Sequence, residues 1–200
     1  MSLTISGNNN QSIEPIPQGT HLAVCNLLVD LGVQYNEYYK SSAKKVLIGW
    51  ELPEETLELE DGKHTRNITK RYTASLNEAA TLRQDLASWR GRDFTGEELE
   101  AFNLKQIVGT SCLLNIIHKE SNGKTYANVQ SIMALPKGMQ KGRLSKDAIV
   151  FDLDSATLDD VDELPNWIGD IVKKSSTYQE MLAKESEVAE LPENNGDLPF

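Results

Sequence analysis

Basic and aromatic side chains follow one another at short spacing in two segments of this chain. The segments are Lys70-Arg71-Tyr72 and Arg90-Gly91-Arg92-Asp93-Phe94. A single nucleic-acid strand presents backbone phosphates to cations and unpaired bases to aromatic rings, so a surface that binds it needs both kinds of side chain. The pattern therefore predicts a basic and aromatic groove, in which Gly91 permits close approach of the backbone.

Two further stretches repeat this combination. Lys44 and Lys45 precede Trp50 on one predicted strand, and Lys124 shares the polar face of another predicted strand with Tyr126. For Trp50, Tyr72 and Tyr126 a place in the hydrophobic core is the alternative, because aromatic side chains bury much of their area in most folds. The predicted single-stranded-DNA-binding residues are Lys44, Lys45, Trp50, Lys70, Arg71, Tyr72, Arg90, Arg92, Phe94, Lys124 and Tyr126.

No group of residues in the sequence has the spacing of a catalytic motif. Gly123-Lys124-Thr125 is similar to the end of a phosphate-binding loop, but His118 stands where that motif requires its first glycine. The triplet also falls in a predicted hairpin turn. The three histidines are scattered, and neither cysteine has a second ligand at metal spacing. We therefore expect no enzymatic activity, no cofactor and no bound metal.

The net charge of −10 is concentrated in the last quarter of the chain. Residues 1–146 contain 17 Lys and Arg against 16 Asp and Glu, whereas residues 147–200 contain 3 against 14. An acidic tail behind a nearly neutral body is typical of interaction tails, and a purely solubilising tail is the alternative.

Alternating apolar residues predict about five strands, with a helical insertion between the third and the fourth. The helical face is formed by Leu76, Ala79, Leu82, Leu86 and Trp89. Thr95-Gly96-Glu97-Glu98 has the spacing of a capping box that starts a second short helix. Residues 53–62 are predicted to be an acidic connection, and a helix over residues 165–174 is predicted to carry Trp167, Ile168, Ile171 and Val172 on one side. This order of elements is typical of an OB-fold, a five-stranded barrel that often binds oligonucleotides. We predict a mainly β, α+β fold of this kind, and a small open α+β sheet is the alternative. Tyr35, Tyr38 and Tyr39 crowd the connection between the first two strands, where OB-folds often contact ligands.

The composition of the sequence divides the chain into four predicted segments. Residues 1–18 are predicted to be a disordered lead-in, and residues 19–151 an OB-like single-stranded-DNA-binding domain. Residues 152–182 are predicted to be an acidic helical extension, and residues 183–200 a disordered acidic tail.

The tail ends in Asp197-Leu198-Pro199-Phe200. This ending resembles the C-terminal tip of bacterial single-stranded-DNA-binding proteins, which carries acidic residues before a final Pro-Phe. The resemblance implies that Asp197, Leu198, Pro199 and Phe200 dock into an apolar pocket of a partner, with a basic residue of that partner receiving the carboxylate.

A second resemblance covers residues 20 to about 175. Its matching segments are residues 50–53, 70–78, 86–92, 113–116 and 124–128. They are similar to a family encoded in bacteriophage replication modules, whose members are regarded as single-stranded-DNA-binding or replication proteins with an OB-like core. The resemblance implies the same fold and role for this chain, whereas the contacting residues above come from residue chemistry.

The sequence therefore predicts a non-catalytic protein that coats single-stranded DNA in phage replication or recombination. Its partners would be single-stranded DNA and, through the tip, a polymerase, helicase or nuclease. One alternative is an acidic nucleic-acid mimic that inhibits a host defence or recombination enzyme, and a nucleotide-processing enzyme is another.

The sequence also bears on location and assembly. The chain starts without the basic residues of a signal peptide, and it has no apolar run of the roughly 18 residues that a membrane helix needs. We therefore expect it in the cytoplasm, which would be the host cytoplasm if the protein is phage-encoded. Self-association into a homo-oligomer stays open.

Overall fold

β-strands are the main secondary structure of residues 14–189, which are the residues that the computed structural model describes. The strands are β1 (Gly19–Asn36), β2 (Ser41–Leu59), β3 (Gly62–Thr73), β4 (Ser111–Ser121), β5 (Lys124–Met133) and β6 (Ile149–Phe151). The α-helices are α1 (Thr81–Arg90), α2 (Gly96–Glu100), α3 (Leu158–Asp162), α4 (Asn166–Val172) and α5 (Ser176–Ala189), and a 3-10 helix spans Leu104–Ile107.

Five of the strands form a nearly closed antiparallel barrel. Their order in the sheet is β3-β2-β1-β4-β5, and the edges of β3 and β5 approach each other. Helix α1, the insertion between β3 and β4, packs against both of these edge strands. Strand β6 adds to the sheet by pairing parallel with β1. The arrangement confirms the predicted OB-like α+β fold.

Two hydrophobic cores lie on opposite faces of β1 and β2. Inside the barrel, alternate residues of β2 (Val46, Ile48, Trp50 and Leu52) pack with residues of the other strands and of α1. On the outer face, Leu27 and Leu47 belong to a second core that β6, α3 and α4 complete. The C-terminal elements therefore cover the outside of β1 and the part of β2 around Leu47, whereas the outward side chains of β3 from Asn67 to Thr73 stay exposed.

Local sequence signals account for several of the turns and helix ends. Asn122 and Gly123 both have positive φ, 50° and 72°, as the tight turn of the β4–β5 hairpin requires. Thr95 and Glu98 form the predicted capping box at the start of α2. Gly91 ends α1 in the left-handed conformation, which glycine adopts without the strain that a side chain would cause.

Other boundaries differ from those predicted. β2 continues to Leu59, through the acidic stretch that was expected to be a connection. Backbone hydrogen bonds pair this stretch with β3, and the last pair is Leu59 with Gly62. Ile16, in the predicted lead-in, is buried in the barrel core. α5 extends to Ala189, beyond the expected end of the helical extension at residue 182.

Within residues 14–189, no helix combines the length and the apolar character needed to cross a membrane. The predicted docking tip, Asp197 to Phe200, lies outside the described residues.

Candidate nucleic-acid interface

Three of the aromatic rings predicted to stack on bases lie in the barrel core. Trp50 is 0% exposed, Tyr72 is 4% exposed and Phe94 is 8% exposed. Stacking requires an accessible ring face, so we correct the prediction that these three residues form a binding platform. For Trp50 and Tyr72 the structure shows the alternative instead, a place in the hydrophobic core.

For Tyr72, a hydrogen bond to a neighbouring helix accompanies this burial. The Tyr72 hydroxyl donates to Asp85 of α1 at 2.8 Å, and Lys70 Nζ donates to the same carboxylate oxygen at 2.7 Å. Burial and the Asp85 charge both raise the pKa of Tyr72, so the hydroxyl keeps its proton. Tyr72 and Lys70 thus attach α1 to β3.

Three predicted cations besides Lys70 are paired with carboxylates. Arg90 and Arg92 share Glu98, and the hydrogen bond from Arg92 is the main cause that lowers the pKa of Glu98 to about 2. Lys44 donates to Asp154 at 2.6 Å and contacts Asp30 at 2.9 Å. A phosphate would have to displace these carboxylates, so the four paired cations are poorer phosphate ligands than unpaired ones.

Among residues 14–189, one cluster of carboxylates has the geometry of a metal site. The ammonium group of Lys44 pairs with two of its members. That cluster consists of Asp30, Asp152 and Asp154, with ligand atoms within 4.8 Å of one another. Asp152 is itself paired with Lys105 at 3.0 Å, which lowers its pKa. Two lysines thus offset most of the charge of these three carboxylates, and the cluster makes no case for a metal site.

The remaining predicted residues lie on two separate parts of the surface. Lys45 and Arg71 are on the outer face of β2 and β3, where Lys45 Nζ donates to Thr73 Oγ1 at 2.6 Å. Lys124 and Tyr126 are exposed on the β4–β5 hairpin.

The outer face of β3 is polar and accessible along its length. Asn67, Thr69, Arg71 and Thr73 alternate with the inward side chains and are all exposed. We call these four residues the β3 face. Among residues 14–189, Arg71 has no ion-pair partner.

The β3 face continues into a groove of about 600 Å³ between β3 and the C-terminal elements, which we call the β3 groove. Lys63, Lys146 and the exposed Asp147 line it, and neither lysine has an ion-pair partner within the described part of the chain. The Trp167 side chain, at the start of α4, also lines it and is 50% exposed. Cations and an accessible aromatic face thus occur together here.

The floor of the β3 groove is polar and partly buried. Glu51 of β2 is 3% exposed, and its two carboxylate oxygens accept from the backbone N–H of Ser145 at 3.0 and 3.2 Å. Asn26 of β1 donates to Asn67 at 2.6 Å across the same floor. The bonds from Ser145 to Glu51 connect β2 to the segment that carries Lys146.

That segment is the end of a basic loop, residues 137–146, which contains no acidic residue. Its cations are Lys137, Lys141, Arg143 and Lys146. The loop lies against β1 and β2: a Cβ on Gly142 would be 2.5 Å from Val24 Cγ2 and 3.2 Å from Pro53 Cγ. A second groove of about 560 Å³, lined by Lys141 and Arg143, continues from the loop toward β4.

Sequence reasoning missed Lys63, Lys146, Trp167 and Glu51 as site residues. The absence of carboxylates from residues 137–146 was a usable signal for Lys146. Trp167 was placed on the apolar face of its helix with Ile168, yet Ile168 is buried and Trp167 is half exposed. Adjacent helical residues point about 100° apart, so one of the two must turn away from the core.

No protein-family model matches this chain, and comparison with curated proteins yields no relative. Its function is therefore inferred from its OB-like barrel and from the chemistry of its surface.

Proposed function

We propose that this protein binds single-stranded DNA, without catalysing a reaction, on the β3 face, the β3 groove and the basic loop. The observation that supports this most is the β3 groove, where unpaired Lys63 and Lys146 accompany the half-exposed ring of Trp167. Lysines that have no carboxylate to displace are available to phosphates, and an accessible indole offers a stacking face to a base.

The location of the groove supports the same function. Oligonucleotides usually bind OB-folds on the face of strands 2 and 3. In this chain the C-terminal elements cover β1 and the part of β2 around Leu47, so β3, with Arg71 and its polar neighbours, is an exposed part of that face. A single strand would cross β3 from Arg71 to the groove and continue along the basic loop.

The resemblances in the sequence extend this proposal to a biological role. A strand-coating protein of phage replication or recombination would act in the host cytoplasm and would recruit a polymerase, helicase or nuclease through Asp197 to Phe200. Three exposed tyrosines, Tyr35 at the end of β1 and Tyr38 and Tyr39 in the turn that leads to β2, add further candidate contacts for bases or partners.

The second candidate is an acidic nucleic-acid mimic. The exposed carboxylates of Asp159, Asp160 and Asp162 on the short helix α3, together with the net charge of −10, favour it. A mimic would bind a basic protein surface and would have no affinity for DNA of its own.

One comparison separates the two candidates. Binding of a labelled mixed-sequence single strand and of the matching duplex is measured for the intact chain and for a chain that lacks residues 190–200. We expect both proteins to bind the single strand more tightly than the duplex. Equal affinity for the two DNA forms, or no affinity in either protein, would contradict the proposed function.

A further inference from the structure

Glu51 is a buried carboxylate whose acceptor capacity is largely unused. It is 3% exposed, and its one described hydrogen-bond donor is the backbone N–H of Ser145. No Lys, Arg or His among residues 14–189 forms an ion pair with it. An ionised carboxylate has about four acceptor sites, so several remain without a partner.

Leaving a buried carboxylate incompletely hydrogen-bonded costs free energy, and a ligand that donates N–H groups to it recovers part of this cost. Glu51 lines the β3 groove together with Lys63, Lys146 and Trp167. The position that a donor would occupy is therefore inside the groove proposed above for single-stranded DNA.

The charges of the groove orient such a strand. The carboxylate of Glu51 repels phosphates from the floor and that of Asp147 repels them from its own part of the rim, whereas Lys63 and Lys146 attract them. The backbone is thus favoured beside the lysines, with a base directed inward against the ring of Trp167 and its hydrogen-bonding edge toward Glu51. In a duplex that edge is already paired, which is a further reason for preferring single strands.

We infer that Glu51 selects guanine among the bases that enter the β3 groove, an inference that rests on the proposed function. Guanine presents two adjacent donors, N1–H and the N2 amino group, which match the two oxygens of one carboxylate. Adenine and cytosine present one amino group beside an acceptor nitrogen. Thymine presents a single N3–H between two carbonyl oxygens, which the carboxylate repels.

The ligand-side test uses the intact chain and needs no variant. Fluorescence anisotropy compares a thymidine oligonucleotide of about 15 nucleotides, near the upper site size of one OB-fold, with the same oligonucleotide carrying one central deoxyguanosine. We expect the guanine-containing strand to bind on the order of tenfold more tightly, as for one bidentate base contact. Replacing the deoxyguanosine by deoxyinosine, which lacks the N2 amino group, should remove most of that gain.

The protein-side test is Glu51→Gln, which retains an acceptor for Ser145 N–H but replaces one oxygen by an amide donor. This variant should bind the two strands about equally. Glu58→Gln, on an exposed position of the same strand, is the matched control and should keep the preference. Circular dichroism and thermal unfolding of both variants establish that they fold.

The outcomes distinguish this inference from the proposed function. Binding of all strands with equal affinity by the intact chain overturns the role of Glu51 and leaves the proposed function standing. A folded Glu51→Gln that still prefers guanine also overturns it. If Glu51→Gln does not fold, equal affinity for the deoxyguanosine and deoxyinosine strands overturns it. Absence of binding to any strand overturns both.

Discussion

Trp167 is the aromatic side chain that we propose stacks on a base in the β3 groove. Its ring is half exposed, unlike Trp50 and Tyr72. We expect Trp167→Ala to reduce the affinity for single-stranded DNA by about 1–3 kcal/mol, the value typical of one stacked base. Anisotropy titrations measure the change, and Leu182→Ala, which removes an exposed side chain from α5, is the control that should bind as the intact chain does. Unchanged affinity of a folded Trp167→Ala would exclude stacking at this position.

Tyr72 should affect stability and leave binding unchanged. Tyr72→Phe removes the hydrogen bond to Asp85 while the ring stays in the core. We expect the free energy of unfolding to fall by about 1.5 kcal/mol, the low end for a bond to a charged group, because Lys70 still pairs with Asp85. Urea denaturation measures the loss. A weaker affinity for DNA at unchanged stability would restore Tyr72 to the binding surface.

The sequence could not distinguish these two roles, because burial depends on partners distant along the chain. Tyr72 is held inside by Asp85, which reaches it through the packing of α1 on β3. Lys44 is neutralised by Asp154, which is 110 residues away. Identical residue types can thus form a core or a binding surface, depending on contacts that spacing alone does not reveal.

At the scale of elements, the basic loop depends on Gly142 for its position. Its backbone conformation does not require glycine, but a methyl group there would meet Val24 and Pro53. We expect Gly142→Ala to move the loop outward. The logarithm of the DNA affinity should then fall less steeply with the logarithm of the salt concentration, by about 0.7 in slope, the value for one lost phosphate contact on a single strand. Gly96→Ala, where nothing lies within 4 Å, is the control. An unchanged slope would mean that the loop does not contact DNA.

The elements themselves were predictable where local rules determine them. The hairpin turn at Asn122-Gly123 and the capping box from Thr95 to Glu98 are confirmed. The alternation of Val46, Ile48 and Trp50 placed them together on one side of β2, which is the barrel interior. The second core was not foreseen, because its members lie far apart in sequence and meet when α3 and α4 pack on β1 and β2.

At the scale of the whole molecule, the acidic C-terminal region has two parts with different expected roles. Residues 149–189 complete the second core, so they belong to the folded body. Residues 190–200 contain three acidic side chains and no basic one. We expect their deletion to leave the thermal unfolding midpoint unchanged and to raise the affinity for single-stranded DNA at low salt, because a competing negative segment is removed. Lower affinity after deletion would show that this segment contributes to DNA binding.

The salt dependence of binding tests the proposed surface most directly. For single strands, the logarithm of the affinity falls with the logarithm of the salt concentration by about 0.7 for each phosphate neutralised. The triple variant Lys63→Gln, Arg71→Gln and Lys146→Gln removes three unpaired cations from the β3 face and groove. We expect its slope to be smaller than that of the intact chain by about 2. Arg92→Gln, which removes a cation paired with Glu98, should leave the slope unchanged. A triple variant with the slope of the intact chain, or a reduced slope in Arg92→Gln alone, would contradict the location of the binding surface.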